Sequence, residues 1–201
     1  SFFSIKFIKL KFNSNLISDN ISYNVGSFNK ITLNLFIMII KLNKKILSAG
    51  QFKLKCSIGK GGIKKKIREG DKITPKGTYY LGDLYYRPKR IKKIKTWIKW
   101  KKIKKNMGWC DDPNSKDYNR LIYIKKKYNY SFEKLFRKDI NYDLIIPIKY
   151  NFDKPFKNKG SAIFFHLTEN FKPTNGCIAL KKKDFFIFLK FIDKQSKIKI
   201  F

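Results

Sequence analysis

Residues Gly160 to Leu180, GSAIFFHLTENFKPTNGCIAL, hold the only histidine of the chain, His166, and a cysteine eleven residues later, Cys177. Ser161 to Leu167 is an apolar run, which predicts a buried strand that ends near the histidine. The polar segment that follows contains proline, asparagine and glycine, which predicts a loop, and a second apolar run begins at residue 178. A strand, a loop and a returning strand would bring the imidazole close to the thiol.

The chemistry of this pair depends on the form of the sulfur, because the thiolate is the nucleophile. A nearby imidazole is the common base for making a thiolate, and this chain has one candidate, His166. Gly176 precedes Cys177 and would let backbone N–H groups approach a reacting carbonyl, as an oxyanion site requires. A cysteine beside aliphatic residues is also common as a small core residue, and spacing alone leaves both alternatives open.

The segment Thr174-Asn175-Gly176-Cys177-Ile178, preceded by a strand that ends in histidine, resembles the signature of the L,D-transpeptidase catalytic domain, the YkuD family. Two positions depart from the usual pattern. Asn175 stands where the family has a second histidine, and Ala179 stands where it has arginine or asparagine. The chain therefore resembles a divergent branch of the family.

The resemblance implies a mainly β fold, a β-sandwich or barrel-like domain with one or two peripheral helices. It implies Cys177 as the nucleophile, His166 as its base, the carbonyl of Leu167 as the group that orients the imidazole, and Gly176 in the oxyanion site. The implied substrates are peptidoglycan stem peptides, which Thr174 and Asn175 would contact, and no metal or organic cofactor is required. A cysteine amidase or carboxypeptidase on the same fold is the alternative enzyme.

A second segment, Met107 to Pro113, has the sequence MGWCDDP and is followed by Tyr118-Asn119-Arg120. In the branch that this chain resembles, both segments recur, which implies a loop beside the active cleft. The residues implied to contact substrate are Trp109, Asp111, Asp112 and Arg120. Either carboxylate would pair with Arg120 in a structural turn or bind a substrate amine.

The chain is predicted to divide at residue 37. Residues 1–37 are expected to be an N-terminal extension that is poorly ordered or not native, and residues 38–201 to be the catalytic domain. Asp71, Thr74, Pro75 and Gly77 resemble the DGxTPxGxF element of the family, which is expected to be structural and to help shape the site. Isoleucines spaced three and four apart predict an amphipathic helix over 90–106, and a short helix is predicted after Leu180.

The composition is strongly basic, with 47 Lys and Arg residues against 14 Asp and Glu residues, a net charge of +33. Only five of the cations are arginines, the residue that favours bidentate phosphate and base recognition. We therefore expect no specific nucleic-acid partner, although a lysine-rich binding protein with a decayed site is the alternative from another class. Loose attraction to an anionic cell envelope is a further consequence of this charge.

The expected location is the periplasm or cell envelope, although no clear signal peptide is visible, and the expected oligomeric state is a monomer. Cysteine spacing predicts no zinc site, because the chain has no CxxC pair and one histidine. Cys56 and Cys110 would be free thiols in the simpler case, or a disulfide in an oxidising compartment.

Overall fold

The structure, a computed structural model, describes residues 17–22, 32–37 and 39–201 of the chain. The chain divides into two compact units, Ser1–Ile37 and Met38–Phe201. In the first unit, β1 (Ile17–Ser22) pairs antiparallel with β2 (Thr32–Ile37). Most of residues 1–37 lie outside the described residues, so the expectation that this extension is poorly ordered or not native stays a prediction.

The described part of the second unit is mainly β, which confirms the predicted fold class, and it has one helix. Its elements are β3 (Ile39–Asn43), β4 (Ile46–Ala49), β5 (Phe52–Ser57), β6 (Ile63–Lys64), β7 (Thr74–Pro75), β8 (Gly77–Tyr80), β9 (Leu84–Tyr86), β10 (Trp100–Lys102), β11 (Met107–Cys110), β12 (Leu121–Tyr123), β13 (Phe132–Lys134), β14 (Leu144–Pro147), β15 (Phe164–Leu167), β16 (Ile178–Leu180), α1 (Lys182–Leu189) and β17 (Lys197–Ile200).

Ten of these strands form one sheet in the order β10-β9-β14-β15-β16-β5-β4-β3-β17-β8, and β12-β11-β13 form a smaller antiparallel sheet. β15 and β16 lie next to each other near the middle of the large sheet. They run parallel, with Phe165 opposite Ile178 and His166 opposite Ala179. The loop between them was predicted from the polar segment after the histidine, but the predicted return of the chain is wrong, because β16 runs in the same direction as β15.

Alternation along β15 separates two hydrophobic clusters, because successive side chains of a strand point to opposite faces. Phe165 and Leu167 pack in the main core, which also contains Phe185 and Phe188 of α1. Phe164 packs in the second cluster, together with Trp109 and other residues of the smaller sheet. Since His166 is two residues after Phe164, the fold directs the imidazole toward this second side.

The predicted helix after Leu180 is confirmed as α1, which buries Phe185, Phe188 and Leu189. No helix in the described residues is long and apolar enough to cross a membrane.

The predicted helix over 90–106 is wrong. This segment is irregular and contains only β10, which pairs parallel with β9. Ile91 and Ile98 are buried in the main cluster and Ile103 in the second cluster. An irregular chain that points every third or fourth residue inward satisfies the same apolar pattern as a helix.

Candidate active site

Cys177 and His166 lie on neighbouring chain segments and face the same cavity. Cys177 immediately precedes β16, so the parallel register places it beside Phe164, two residues before His166 on β15. The sulfur confirms this placement, because it accepts a hydrogen bond from the backbone N–H of Phe164 at 3.3 Å. Both side chains line a cavity of about 950 Å³. The fold therefore brings together the two residues on which the predicted chemistry depends.

The Cys177 side chain is a neutral thiol in this arrangement. Its Sγ donates to the carbonyl oxygen of Ala162 at 3.2 Å, and only the S–H form has a proton to donate. Burial raises its pKa to about 12, and the negative charge of Glu133 acts in the same direction. The N–H of Phe164 and the cation of Lys66 act in the opposite direction and stabilise a thiolate.

The His166 imidazole is neutral as well, because burial lowers its pKa to about 4. Nδ1 lies 2.8 Å from the carbonyl oxygen of Leu167. Since a carbonyl oxygen only accepts hydrogen bonds, Nδ1 carries the proton and Nε2 keeps its lone pair. Leu167 thus makes the contact with the ring that the family resemblance implied.

The turn before Cys177 is held by hydrogen bonds of the Thr174 hydroxyl to the backbone of the turn. The Thr174 hydroxyl donates to the carbonyl oxygen of Cys177 at 2.6 Å and accepts from the N–H of Gly176 at 3.2 Å. Gly176 has a φ of 132°, and a Cβ there would lie 2.9 Å from the carbonyl oxygen of Ile73. Glycine is required at this position by the backbone and by close packing. Thr174 and the exposed Asn175 line the cavity.

Thr74 connects this turn to two other segments of the chain. Its hydroxyl accepts a hydrogen bond from the N–H of Gly59 at 2.8 Å and donates to the carbonyl oxygen of Gly176 at 2.8 Å. The side chain is fully buried. Thr74, which belongs to the 71–77 element expected to be structural, thus holds Gly176, the residue before Cys177.

The MGWCDDP segment contributes one cavity residue, Asp111, which accepts a hydrogen bond from the Ser131 hydroxyl. Asp112 does not line the cavity; its carboxylate accepts from the backbone N–H groups of Asn114 at 2.9 Å and Ser131 at 3.3 Å. Asp112 therefore holds a turn, as expected of an aspartate two residues before a free N–H.

Trp109 and Arg120 do not line the cavity either. Trp109 is 2% exposed, its ring packs edge to face on Phe164, and its Nε1–H donates to Asn119 Oδ1 at 2.9 Å. We therefore reassign Trp109 from a substrate contact to a core residue behind the site. Arg120 donates to the carbonyl oxygen of Asp153 at 3.3 Å, and the predicted pair between Arg120 and Asp111 or Asp112 is wrong, since the carboxylates are engaged by Ser131 and Asn114.

Sequence reasoning missed several charged and aromatic side chains of the cavity. Tyr142 lies beside the imidazole, with ring centroids 5.5 Å apart, and its hydroxyl donates to Glu133 Oε1. Arg137 lies over the Tyr142 ring, with 4.9 Å between its Cζ and the centroid, and binds Asp139 through two nitrogens. These residues belong to the segment SFEKLFRKDINY, whose mixed charges are also typical of a surface loop.

The described residues thus form a mainly β domain in which a thiol and an imidazole on neighbouring segments line one cavity. A family model described as the L,D-transpeptidase catalytic domain, YkuD, matches residues 36–200. The chain therefore belongs to the YkuD family, which confirms the predicted family and its fold. No curated protein and no solved structure matches the chain.

Proposed function

We propose that this protein is a cysteine-dependent L,D-transpeptidase that acts on peptidoglycan stem peptides. The observation that carries the proposal is that Cys177 and His166 lie on neighbouring chain segments and line the same cavity of a YkuD domain. The thiol would attack the carbonyl of an L-configured residue, and the following D-residue would leave as an amine. The resulting Cys177 thioester would then be resolved by an acceptor amine, which gives a cross-link, or by water.

The mechanism moves one proton through His166. Nε2 of His166 takes the proton of the thiol as the sulfur attacks, and the resulting imidazolium gives it to the departing amine. The Leu167 carbonyl keeps Nδ1–H in place and so presents Nε2 as the base. Because the Gly176 N–H already bonds to Thr174, we propose the N–H of Cys177 as the main oxyanion donor.

The remaining expectations belong to the same proposal. Residues 38–201 would be the catalytic domain, acting as a monomer in the periplasm or cell envelope, where its substrate lies. Thr174, Asn175 and Asp111 would contact the stem peptide, since all three line the cavity. The lysine-rich surface would add loose attraction to an anionic envelope.

The test is intact-mass detection of an acyl adduct after incubation with a carbapenem, a β-lactam class that the family accepts. We expect one adduct on the wild-type protein and none on Cys177→Ala. Incubation with a tetrapeptide stem and an amine then separates the reactions. Cross-linked product supports the transpeptidase, whereas hydrolysed product alone would identify the amidase or carboxypeptidase, and absence of any adduct would refute the nucleophile.

A further inference from the structure

Glu133 lies in the wall of the cavity and acts against the chemistry just proposed. Its charge is, after burial, the largest influence that raises the pKa of Cys177. An ionised carboxylate beside a nucleophilic sulfur slows thiolate formation unless another charge offsets it. We propose, on the basis of the proposed function, that Glu133 binds a primary ammonium group of the substrate and that this ion pair activates Cys177.

The geometry leaves part of Glu133 free for a ligand. Glu133 is the central residue of β13, opposite Trp109 of β11, and its side chain is 30% exposed toward the cavity. The Tyr142 hydroxyl donates to Oε1. Within residues 39–201, Oε2 accepts no hydrogen bond, so one oxygen is held in place and the other is available to an ammonium group.

Arg137 forms a long ion pair with Glu133 and is shared with Asp139. Arg137 Nη1 lies 3.9 Å from Oε1, but Nε and Nη2 of the same guanidinium bind Asp139 at 2.9 and 2.7 Å. The ammonium group of Lys66 is paired with Asp71. Both cations are therefore already engaged by carboxylates of their own.

The lining of the cavity is also much more acidic than the rest of the chain. It contains five acidic and five basic side chains, whereas the whole chain has 14 and 47. Burial raises the pKa of Glu133, the Tyr142 hydroxyl and the Arg137 cation act in the opposite direction, and the charges of Asp111 and Glu69 add to the rise. Three carboxylates that repel one another favour a bound cation. The acidic members of the lining are Glu69, Asp111, Glu133, Asp139 and Glu169.

A buried hydroxyl in the same lining gives an independent indication of a ligand. The side-chain oxygen of Ser161 is buried and makes no hydrogen bond of good geometry within the described residues, although it lies close enough to the Tyr118 hydroxyl to lower the pKa of that group. Leaving a buried hydroxyl without a partner is unfavourable, so a polar ligand group in the cavity would remove this cost. An ammonium group carries three donors, which is enough for a hydroxyl oxygen as well as a carboxylate.

Binding of a cation at Glu133 would change the thiol itself. The charged and titratable side chains around the sulfur are Lys66, Glu133, Tyr142 and His166. Of these, Glu133 alone opposes the thiolate by its charge, since Lys66 favours it and the imidazole is neutral. An ammonium group on Glu133 would therefore make the attacking thiolate easier to form only when substrate is present.

The main test compares Glu133→Gln with Asp153→Asn. Both variants lose one negative charge. Glutamine at 133 keeps the shape of the side chain and an oxygen that accepts from the Tyr142 hydroxyl. Asp153 is exposed and outside the cavity, so its substitution controls for the change in net charge. We expect Glu133→Gln alone to speed the alkylation of Cys177 by neutral iodoacetamide and to move its pH–rate profile to lower pH. Unchanged alkylation in Glu133→Gln, or equal acceleration in both variants, would overturn the inference.

The second readout is the preference for an ammonium group. For wild type, we expect kcat/KM for a stem peptide with a side-chain ammonium to exceed that for the N-acetylated peptide about tenfold or more, and Glu133→Gln to remove this preference. A parallel arm keeps the acetylated donor and compares lysine amide with norleucine amide as acceptors, so the two arms distinguish donor from acceptor. A preference that Glu133→Gln retains in both arms would overturn the inference, even if cross-linking itself proceeds.

A measurement on the wild-type protein covers the case in which Glu133→Gln does not fold. Ethylammonium chloride should accelerate alkylation of Cys177 more than sodium chloride at the same ionic strength. Equal rates in the two salts would contradict the inference. This measurement needs no turnover, so it remains decisive for Glu133 even if the carbapenem test were to refute the proposed function.

Discussion

Thr74→Val is the substitution that most directly tests how the fold holds the turn before Cys177. The Thr74 hydroxyl accepts from the Gly59 N–H and donates to the Gly176 carbonyl oxygen, each at 2.8 Å, and the side chain is fully buried. Valine has nearly the same shape and lacks the hydroxyl. Two buried backbone groups would therefore lose their partner, one of them in the residue before Cys177.

The expected loss of stability follows from the two orphaned groups. A buried donor or acceptor without a partner costs about 1–3 kcal/mol, so Thr74→Val should lower the free energy of unfolding by about 2–6 kcal/mol. For a domain of this size the melting temperature would fall by roughly 5–20 °C. Thr74→Ser is the matched control, because it keeps the hydroxyl and loses one methyl group, a change worth about 1 kcal/mol.

The assay combines thermal unfolding with the rate of Cys177 acylation by a carbapenem. We expect the valine variant to unfold earlier and to acylate more slowly, since the Gly176 carbonyl no longer has its anchor. The serine variant should keep most of both properties. If the two variants share one melting temperature and one acylation rate, the hydroxyl does not hold the turn and the reasoning is refuted.

Three further predictions concern acid stability, a glycine and the thiols. The pKa of His166 is about 4 in the fold and ordinarily 6.5, so the neutral imidazole contributes stability that is fully present above pH 6.5 and is lost as the pH falls through 4. In denaturant titrations over this pH range, the free energy of unfolding of the wild type should fall by about 3 kcal/mol. This loss should be absent from His166→Gln. Gly176→Ala forces a Cβ to within 2.9 Å of the Ile73 carbonyl oxygen at a positive φ. It should lower the free energy of unfolding by about 1–3 kcal/mol, measured by thermal unfolding, and abolish acylation of Cys177. Unaltered acylation would contradict the geometry. Cys56 and Cys110 are free thiols, so a thiol-reactive dye should count three thiols per unfolded chain without reductant, and a count of one would indicate a bridge.

The sequence was most informative where chemistry and strand pattern coincide. An apolar run that ends at His166, a loop with proline and glycine, and a cysteine before a second apolar run required that the two strands be neighbours. The sequence explains Gly176 by the approach of backbone N–H groups to a reacting carbonyl, whereas the structure gives a different reason for glycine. That reason is the close approach of the Ile73 carbonyl, a contact between residues far apart in the chain that no local pattern reveals.

The incorrect predictions share a physical origin, because local patterns do not specify which surface will cover a residue. Isoleucines spaced three and four apart fit a helix, yet β10 forms an extended pairing with β9. The segment that holds Trp109 and two aspartates was expected to border the active cleft and contact substrate, yet the Trp109 ring packs on Phe164 in the core. Glu133 looked like one charge among many, and only the sheet β12-β11-β13 places it in the cavity wall.

The protonation states of the Cys177 thiol and the His166 imidazole follow from their burial in the fold. Burial within the second cluster raises the pKa of Cys177 to about 12 and lowers that of His166 to about 4, so a thiolate–imidazolium pair is strongly disfavoured in the free protein. A thiol that is 8% exposed and neutral resists adventitious alkylation and oxidation. In the proposed mechanism, attack would depend on what substrate brings, namely a carbonyl whose developing charge the N–H of Cys177 would stabilise and a cation that would offset Glu133. The same burial that makes the site inert at rest therefore ties its reactivity to the bound substrate.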